Sequence, residues 1–149
     1  MTILAIGDIW KALRTALLAD TQLTAKLGAV TAMYRSFPQE RVKFPILVLT
    51  NQGLVPQTDV SGPGLYRPTP QLDIFVDYDD YYAAEEIFGV LEENFSIPNR
   101  RTTGITSDNH RITELRWFNL IEVGPLRVVD TNEPIIQFSI DFRLRIQRY

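Results

Sequence analysis

Gln71-Leu72-Asp73-Ile74-Phe75-Val76-Asp77-Tyr78-Asp79-Asp80-Tyr81-Tyr82-Ala83-Ala84-Glu85-Glu86-Ile87-Phe88-Gly89-Val90-Leu91 changes its periodicity halfway. Leu72, Ile74, Val76 and Tyr78 alternate with Gln71, Asp73 and Asp77, the period of a half-buried strand. Phe75 interrupts the polar side, so that face is expected to be partly covered as well. From Ala84 the apolar residues fall at Ala84, Ile87, Phe88, Leu91 and Phe95, which gathers them on one helical face. Asp79 or Asp80 stands where an N-cap belongs, with a carboxylate suited to the orphan N–H groups of a first turn. A strand running straight into a helix that folds back on it makes a two-layer unit.

Working towards the N-terminus, Pro45 opens Ile46-Leu47-Val48-Leu49-Thr50, apolar on both sides and suited to a central strand. Ala32 to Phe37 reads as a brief strand, and Pro38-Gln39-Glu40 as a turn. Ile6, Ile9, Trp10, Leu13, Leu17 and Leu18 recur at helical spacing, with Asp8 a candidate cap. After a break capped by Asp20 or Thr21, Leu23 and Leu27 continue as a short second helix that Gly28 stops. Gln52 to Pro68, which holds Gly62-Pro63-Gly64, is expected to be a long irregular loop with Leu54, Val55, Leu65 and Tyr66 among its apolar residues.

Working towards the C-terminus, Ser96 to Asn109 is a polar connection containing Arg100 and Arg101. Arg111 to Ile121 reads as a bulged strand, because its apolar residues change sides along the way. Val123-Gly124-Pro125-Leu126 reads as a turn or kink, and Thr131 to Pro134 as another turn. The last strand is the cleanest: Phe138, Ile140, Phe142, Leu144 and Ile146 alternate with Ser139, Asp141, Arg143, Arg145 and Gln147. The order α, α, β, β, β, α, β, β predicts one α+β domain over residues 1–149, a mostly antiparallel sheet with helices packed on one face.

Composition narrows the chemistry. The 149 residues are 45% hydrophobic and 22% charged, ordinary for a globular domain with a real core. With no cysteine there is neither a disulfide framework nor a thiolate metal site, and a single histidine leaves little for zinc. A net charge of −3 argues against a general DNA binder that gains affinity by neutralising phosphates. No apolar run reaches the roughly 18 residues of a membrane span, and Met1 to Gly7 carries no positive segment ahead of its apolar residues, so a cytoplasmic, membrane-free protein is the expectation.

Candidate reactive groups have plainer alternatives. Asp77, Asp79 and Asp80, with Glu85 and Glu86 beyond, offer oxygen ligands but lack the glycine and later ligands of a calcium loop. Helix capping and a solvated first turn explain them better. Ser107, Asp108 and His110 have the residue types of a nucleophilic triad, yet neighbours in sequence cannot point at one another as a triad must, and a surface loop histidine is the simpler reading. There is no nucleophile elbow and no phosphate-binding glycine loop. Arg100, Arg101 and Arg111 could touch nucleic acid or an acidic protein face, but a short arginine pair reads more simply as solvated charge. Tyr78, Tyr81 and Tyr82 at the strand–helix junction suit the core's edge or a protein interface better than base stacking. No catalytic, cofactor or metal residue is therefore expected.

Three stretches in this order carry a family resemblance: Ala12-Leu13-Arg14-Thr15-Ala16-Leu17-Leu18-Ala19-Asp20 with Leu23 and Leu27-Gly28; Tyr34-Arg35-Ser36-Phe37-Pro38-Gln39 leading into Phe44 to Leu49; and Gln71 to Asp77 followed by an acidic, alanine-bearing helix. Together they resemble the tail-terminator, or tail-completion, proteins of the neck of tailed bacteriophages. The resemblance implies a virion protein assembled in the host cytoplasm, and a homo-oligomeric ring, typically a hexamer. Such a ring caps the head-proximal end of the tail tube, stops its polymerisation and docks the head connector. The implied partners are further copies of the chain, tail-tube protein, connector proteins and, in a contractile tail, sheath, with DNA passing through the lumen unbound. Nothing in that role needs an active site. Another neck ring component, an adaptor or stopper, and a small cytoplasmic enzyme without a familiar motif are the competing readings. The expected subunit interface comprises Asp141, Arg143 and Arg145 on the last strand, Leu54, Val55, Leu65 and Tyr66 in the first long loop, and Arg100 and Arg101 in the second. Both long loops are expected to order on assembly.

Overall fold

A computed structural model describes residues 5–50, 65–66, 71–96, 105–108, 110–127 and 134–148. Its elements are α1 (Ala5–Ala19), α2 (Thr21–Thr24), β1 (Met33–Tyr34), β2 (Ile46–Thr50), β3 (Leu65–Tyr66), β4 (Gln71–Asp77), α3 (Tyr81–Phe95), β5 (His110–Arg127) and β6 (Pro134–Arg148). The strands form one six-stranded sheet in which β1 runs parallel to β2 and every other pairing is antiparallel. The architecture is the α+β arrangement read from the sequence.

β6 is the axis of the sheet. One of its edges pairs with β4 over Ile135–Asp141 and then with β3 at Ile146–Gln147. Gln71 lies opposite Asp141 and Tyr66 opposite Ile146, so β3 and β4 keep one common register along that edge. Its other edge pairs with β5 from end to end. β3 is a departure from expectation, since this part of the chain read as irregular loop. Two residues are too short a run for any periodicity to register.

Antiparallel partners share a face, so the register sorts side chains into two layers. Leu47, Leu49, Leu72, Ile74, Val76 and the even-numbered residues of β6 from Ile136 to Ile146 point to the helix side, and all are buried. Ile9, Leu13 and Leu17 of α1, and Ala84, Ile87, Leu91 and Phe95 of α3, complete that core. The Trp10 indole N–H donates to the Leu49 carbonyl at 2.9 Å and pins α1 to the end of β2. On the opposite face Ile46, Val48, Phe75 and Ile135 are buried too. There the Phe37 ring stands edge-on to Phe75 at 4.9 Å, so the segment between β1 and β2 supplies the cover that Phe75 foreshadowed.

Local signals held in some places and failed in others. Asp20 caps α2, its Oδ1 accepting from the Leu23 N–H at 2.9 Å while Oδ2 accepts from Asn94 Nδ2 of α3 at 3.1 Å. Asp8 is not a cap, because α1 begins at Ala5 and runs through it. Asp80 occupies the N-cap position of α3 but its side chain makes no capping bond; the turn is closed instead by the Asp80 N–H donating to the Asp77 carbonyl at 2.9 Å. α2 ends at Thr24, before Gly28. Gly28 has another task. Its N–H donates to the Pro45 carbonyl at 2.8 Å, and a Cβ there would lie 2.0 Å from the Lys43 carbonyl oxygen.

Of the turn or kink expected at Val123–Leu126, the turn is corrected to strand and the kink is a bulge within it. β5 continues through it to Arg127, and the irregularity is a β-bulge between Glu122 and Gly124, where Gly124 has φ 124°. Glycine and proline there mark a bulge in a strand that, among the described residues, pairs with β6 alone, a place where a missing N–H is tolerated.

Candidate assembly surface

The β5–β6 hairpin has one face under the helices and one over which, among the described residues, no helix lies. Three bulges between Ile112 and Glu114, Phe118 and Leu120, and Glu122 and Gly124 each add a residue to β5. They reset its phase so that Leu115 and Trp117 are buried against Leu144 and Phe142, with the Trp117 and Phe142 rings 4.7 Å apart. Asn119, in the second bulge, takes a positive φ of 45°. On the other face, Glu114 opposes Arg145, Arg116 opposes Arg143, Phe118 opposes Asp141 and Ile121 opposes Ser139.

This outer strip mixes charge with exposed apolar surface. Arg116 and Arg143 are directly opposite and about half to two-thirds exposed, a like-charged cross-strand pair that by itself weakens a sheet. One carboxylate sits between them: Glu114 Oε1 is 3.5 Å from Arg116 Nε and 4.0 Å from Arg143 Nη1. The Arg143 guanidinium also lies 5.7 Å from the centre of the Phe118 ring. Phe118 is 37% and Ile121 51% exposed. Asp141 and Arg143 are exposed as their alternation requires, whereas Arg145 is only half-buried. Further in, Asp73 is buried and accepts hydrogen bonds from Ser139 Oγ at 2.6 Å and Gln71 Nε2 at 2.9 Å, a polar seam where β4 meets β6.

A second surface lies on the helix side, where β4 turns into α3. Tyr78, Tyr81 and Tyr82 are exposed, as are Asp79, Asp80 and Glu85. The Tyr81 ring meets Phe138 edge-on at 6.1 Å and its hydroxyl donates to Glu122 Oε1 at 3.4 Å. Its phenol is held above the usual 10.0 by loss of solvent contact, then by the charge and hydrogen bond of Glu122, and by Tyr78.

Of the expected interface residues, β6 brings Asp141, Arg143 and Arg145 into one row. Leu65 and Tyr66 form β3 on the opposite edge of β6 from β5. Leu54, Val55, Arg100 and Arg101 lie outside the described residues. Glu114, Arg116, Phe118 and Ile121 complete the strip from β5. Sequence reading missed them as a group because each bulge breaks the alternation that would have grouped them.

His110 is a correction: it begins β5 and is 1% exposed rather than a surface loop residue. Ser107 serves the backbone beside it, its Oγ accepting from the His110 N–H at 3.0 Å, so these residues build a turn. Among the described residues no group of three or more His, Cys, Asp or Glu side chains converges as a metal site, and no helix is long and apolar enough to cross a membrane. Glu86 of the acidic stretch instead pairs with Lys26 at 2.9 Å.

The class of protein is defined by this fold: an α+β domain whose last two strands form a long bulged hairpin. Solved structures share it. The chain is similar to a chain from the virion of a native gene transfer agent particle, with a TM-score of 0.59 and 17% identity, over 95% of this chain and 92% of that one. It is also similar to a second solved chain whose own name states no function, with a TM-score of 0.53 and 12% identity, over 98% and 94% of the two chains. No protein-family model and no curated protein sequence matches it.

Proposed function

We propose that this chain is a structural virion protein, the tail terminator of a phage-type particle, acting as a ring subunit in the neck. The observation that carries the reading is the outer strip of the β5–β6 hairpin. It is a long surface with exposed Phe118 and Ile121, and it keeps Arg116 opposite Arg143 although that juxtaposition weakens the isolated sheet. A surface of mixed charge and apolar contact suits neighbour-to-neighbour packing, where charges fix register more than affinity. The fold shared with a chain of a gene transfer agent virion supports the same reading, as does the resemblance of the three sequence stretches to tail terminators. In this role the ring, a hexamer in the resembled family, caps the tail tube, faces the head connector and lets DNA pass without gripping it. Sheath is a further neighbour where the tail contracts.

The test has two parts. Purified protein, imaged by negative-stain electron microscopy and sized by light scattering, should form rings of one size. Added to polymerising tail-tube protein from the same genome, it should halt growth and be found at one end of each tube. Protein that stays monomeric at every concentration and leaves tube length unchanged refutes the reading. Rings that do not touch the tube point to another neck position.

A further inference from the structure

Resting on the ring reading, we propose that the ring closes head to tail: the basic strip of one copy receives the acidic tyrosine corner of the next. A closed ring of identical subunits needs two different surfaces that complement each other, unlike a two-fold dimer, which pairs one surface with itself. The fold provides two such surfaces on opposite faces of the sheet. Arg116, Phe118, Ile121 and Arg143 lie on the face away from the helices. Tyr78 and Asp79 in the turn before α3, and Tyr82 and Glu85 in its first turns, lie on the helix side, where Tyr81 touches Phe138.

Their chemistry is complementary. Arg116 and Arg143 lie on either side of Glu114, and with Arg145 they outnumber the strip's two carboxylates, Glu114 and Asp141, leaving a net positive charge that a partner's carboxylates would relieve. The corner presents exposed carboxylates at Asp79, Asp80 and Glu85 beside tyrosine rings, which supply acceptors and faces for guanidinium groups. Tyr82, at 75% exposure, is the most exposed large hydrophobic side chain among the described residues and the natural anchor against Phe118 and Ile121. Pairing strip with strip would instead put arginines against arginines, which like-charge repulsion disfavours.

The experiment uses two variants of the full chain, Arg116→Glu with Arg143→Glu in the strip and Asp79→Lys with Glu85→Lys in the corner. Circular dichroism and thermal melting verify folding. If the strip variant fails to fold beside Glu114, Arg116→Gln with Arg143→Gln replaces it. Each variant alone is expected to need at least about tenfold more protein to assemble than wild type. Mixed together they should assemble again into rings in which the two variants alternate, because wild-type strip then meets wild-type corner and reversed strip meets reversed corner. A chain carrying all four charge reversals should form rings again. Either variant assembling like wild type, the corner variant dimerising alone, or a mixture that stays monomeric overturns the head-to-tail assignment. A wild type that never assembles overturns the ring reading itself, so the two failures are distinguishable.

Discussion

Replacing Gly28 with alanine adds one methyl group at a place where there is no room for it. The new Cβ would lie 2.0 Å from the Lys43 carbonyl oxygen and 2.5 Å from its carbonyl carbon, both backbone atoms that no side-chain rotation can move aside. Ordinary contact needs about 3.5 Å, so one segment must retreat by roughly 1.5 Å. The retreat strains the Gly28 N–H bond to the Pro45 carbonyl, the 2.8 Å link between the turn after α2 and the entry to β2. Overpacking of this kind costs about 1–3 kcal/mol, and weakening the hydrogen bond adds about 0.5–1.5 kcal/mol. Against this, alanine restricts the unfolded chain and returns about 0.4–1 kcal/mol. The net expectation is a loss of about 2–3 kcal/mol. For a chain of this length that lowers the melting temperature by roughly 4–12 °C. Thermal and urea unfolding should be followed at matched protein concentration, since association shifts both midpoints. An unchanged or raised midpoint would refute the reasoning, because it would mean that the two segments separate at no cost.

Other expectations follow from single contacts. Leu13→Ala, at a position 1% exposed, should cost about 2–5 kcal/mol in urea unfolding, and a loss under about 0.5 kcal/mol would remove α1 from the core. Asp20→Ala removes both the α2 cap and the acceptor for Asn94, so a loss of about 1–2 kcal/mol is expected; an intact melting temperature would contradict it. Lys26→Ala removes an exposed ion pair with Glu86 and should change stability by only about 0–1 kcal/mol, with whatever effect exists fading in high salt. Tyr81 binds its proton more tightly folded than unfolded, so its contribution to stability is whole below pH 10.0 and lost as pH rises through the higher folded value. Glu122→Gln should bring that titration back towards 10.0 in tyrosinate absorbance, and an unmoved curve would dismiss the Glu122 contact.

Legibility in the sequence followed the physical cause of each pattern. β6 alternates cleanly because Phe138, Ile140, Phe142, Leu144 and Ile146 are buried on the core face while Asp141 and Arg143 between them are exposed. β2 reads as doubly covered because Ile46 and Val48 are buried on the face where Phe37 stands against Phe75, while Leu47 and Leu49 are buried on the helix side. Caps were less legible. Aspartates at Asp8, Asp20 and Asp80 look alike in sequence, and only Asp20 makes the bond. Gly124-Pro125 was ambiguous because a bulge in an edge strand and a turn ask for the same residue types. The candidate surface was half visible. Its β6 row followed from period two, but the β5 row lay behind three phase shifts that need the partner strand to be counted. His110 could not be placed because burial of one polar residue at a strand end leaves no periodic trace.

The bulges also make the hairpin a two-lane bend. β5 spends 18 residues where β6 spends 15, an excess of about 10 Å of strand at roughly 3.3 Å per residue. A pair of lanes with fixed spacing can absorb that excess only by turning and twisting, with the longer lane outside. Thr113, Asn119 and Val123 are the surplus residues, and all their neighbours already have partners. Deleting any one of them would leave every existing cross-strand pair in place and straighten a single joint. The arc of this ribbon is thus written as a count of three residues, adjustable one at a time, independently of the side chains that line it.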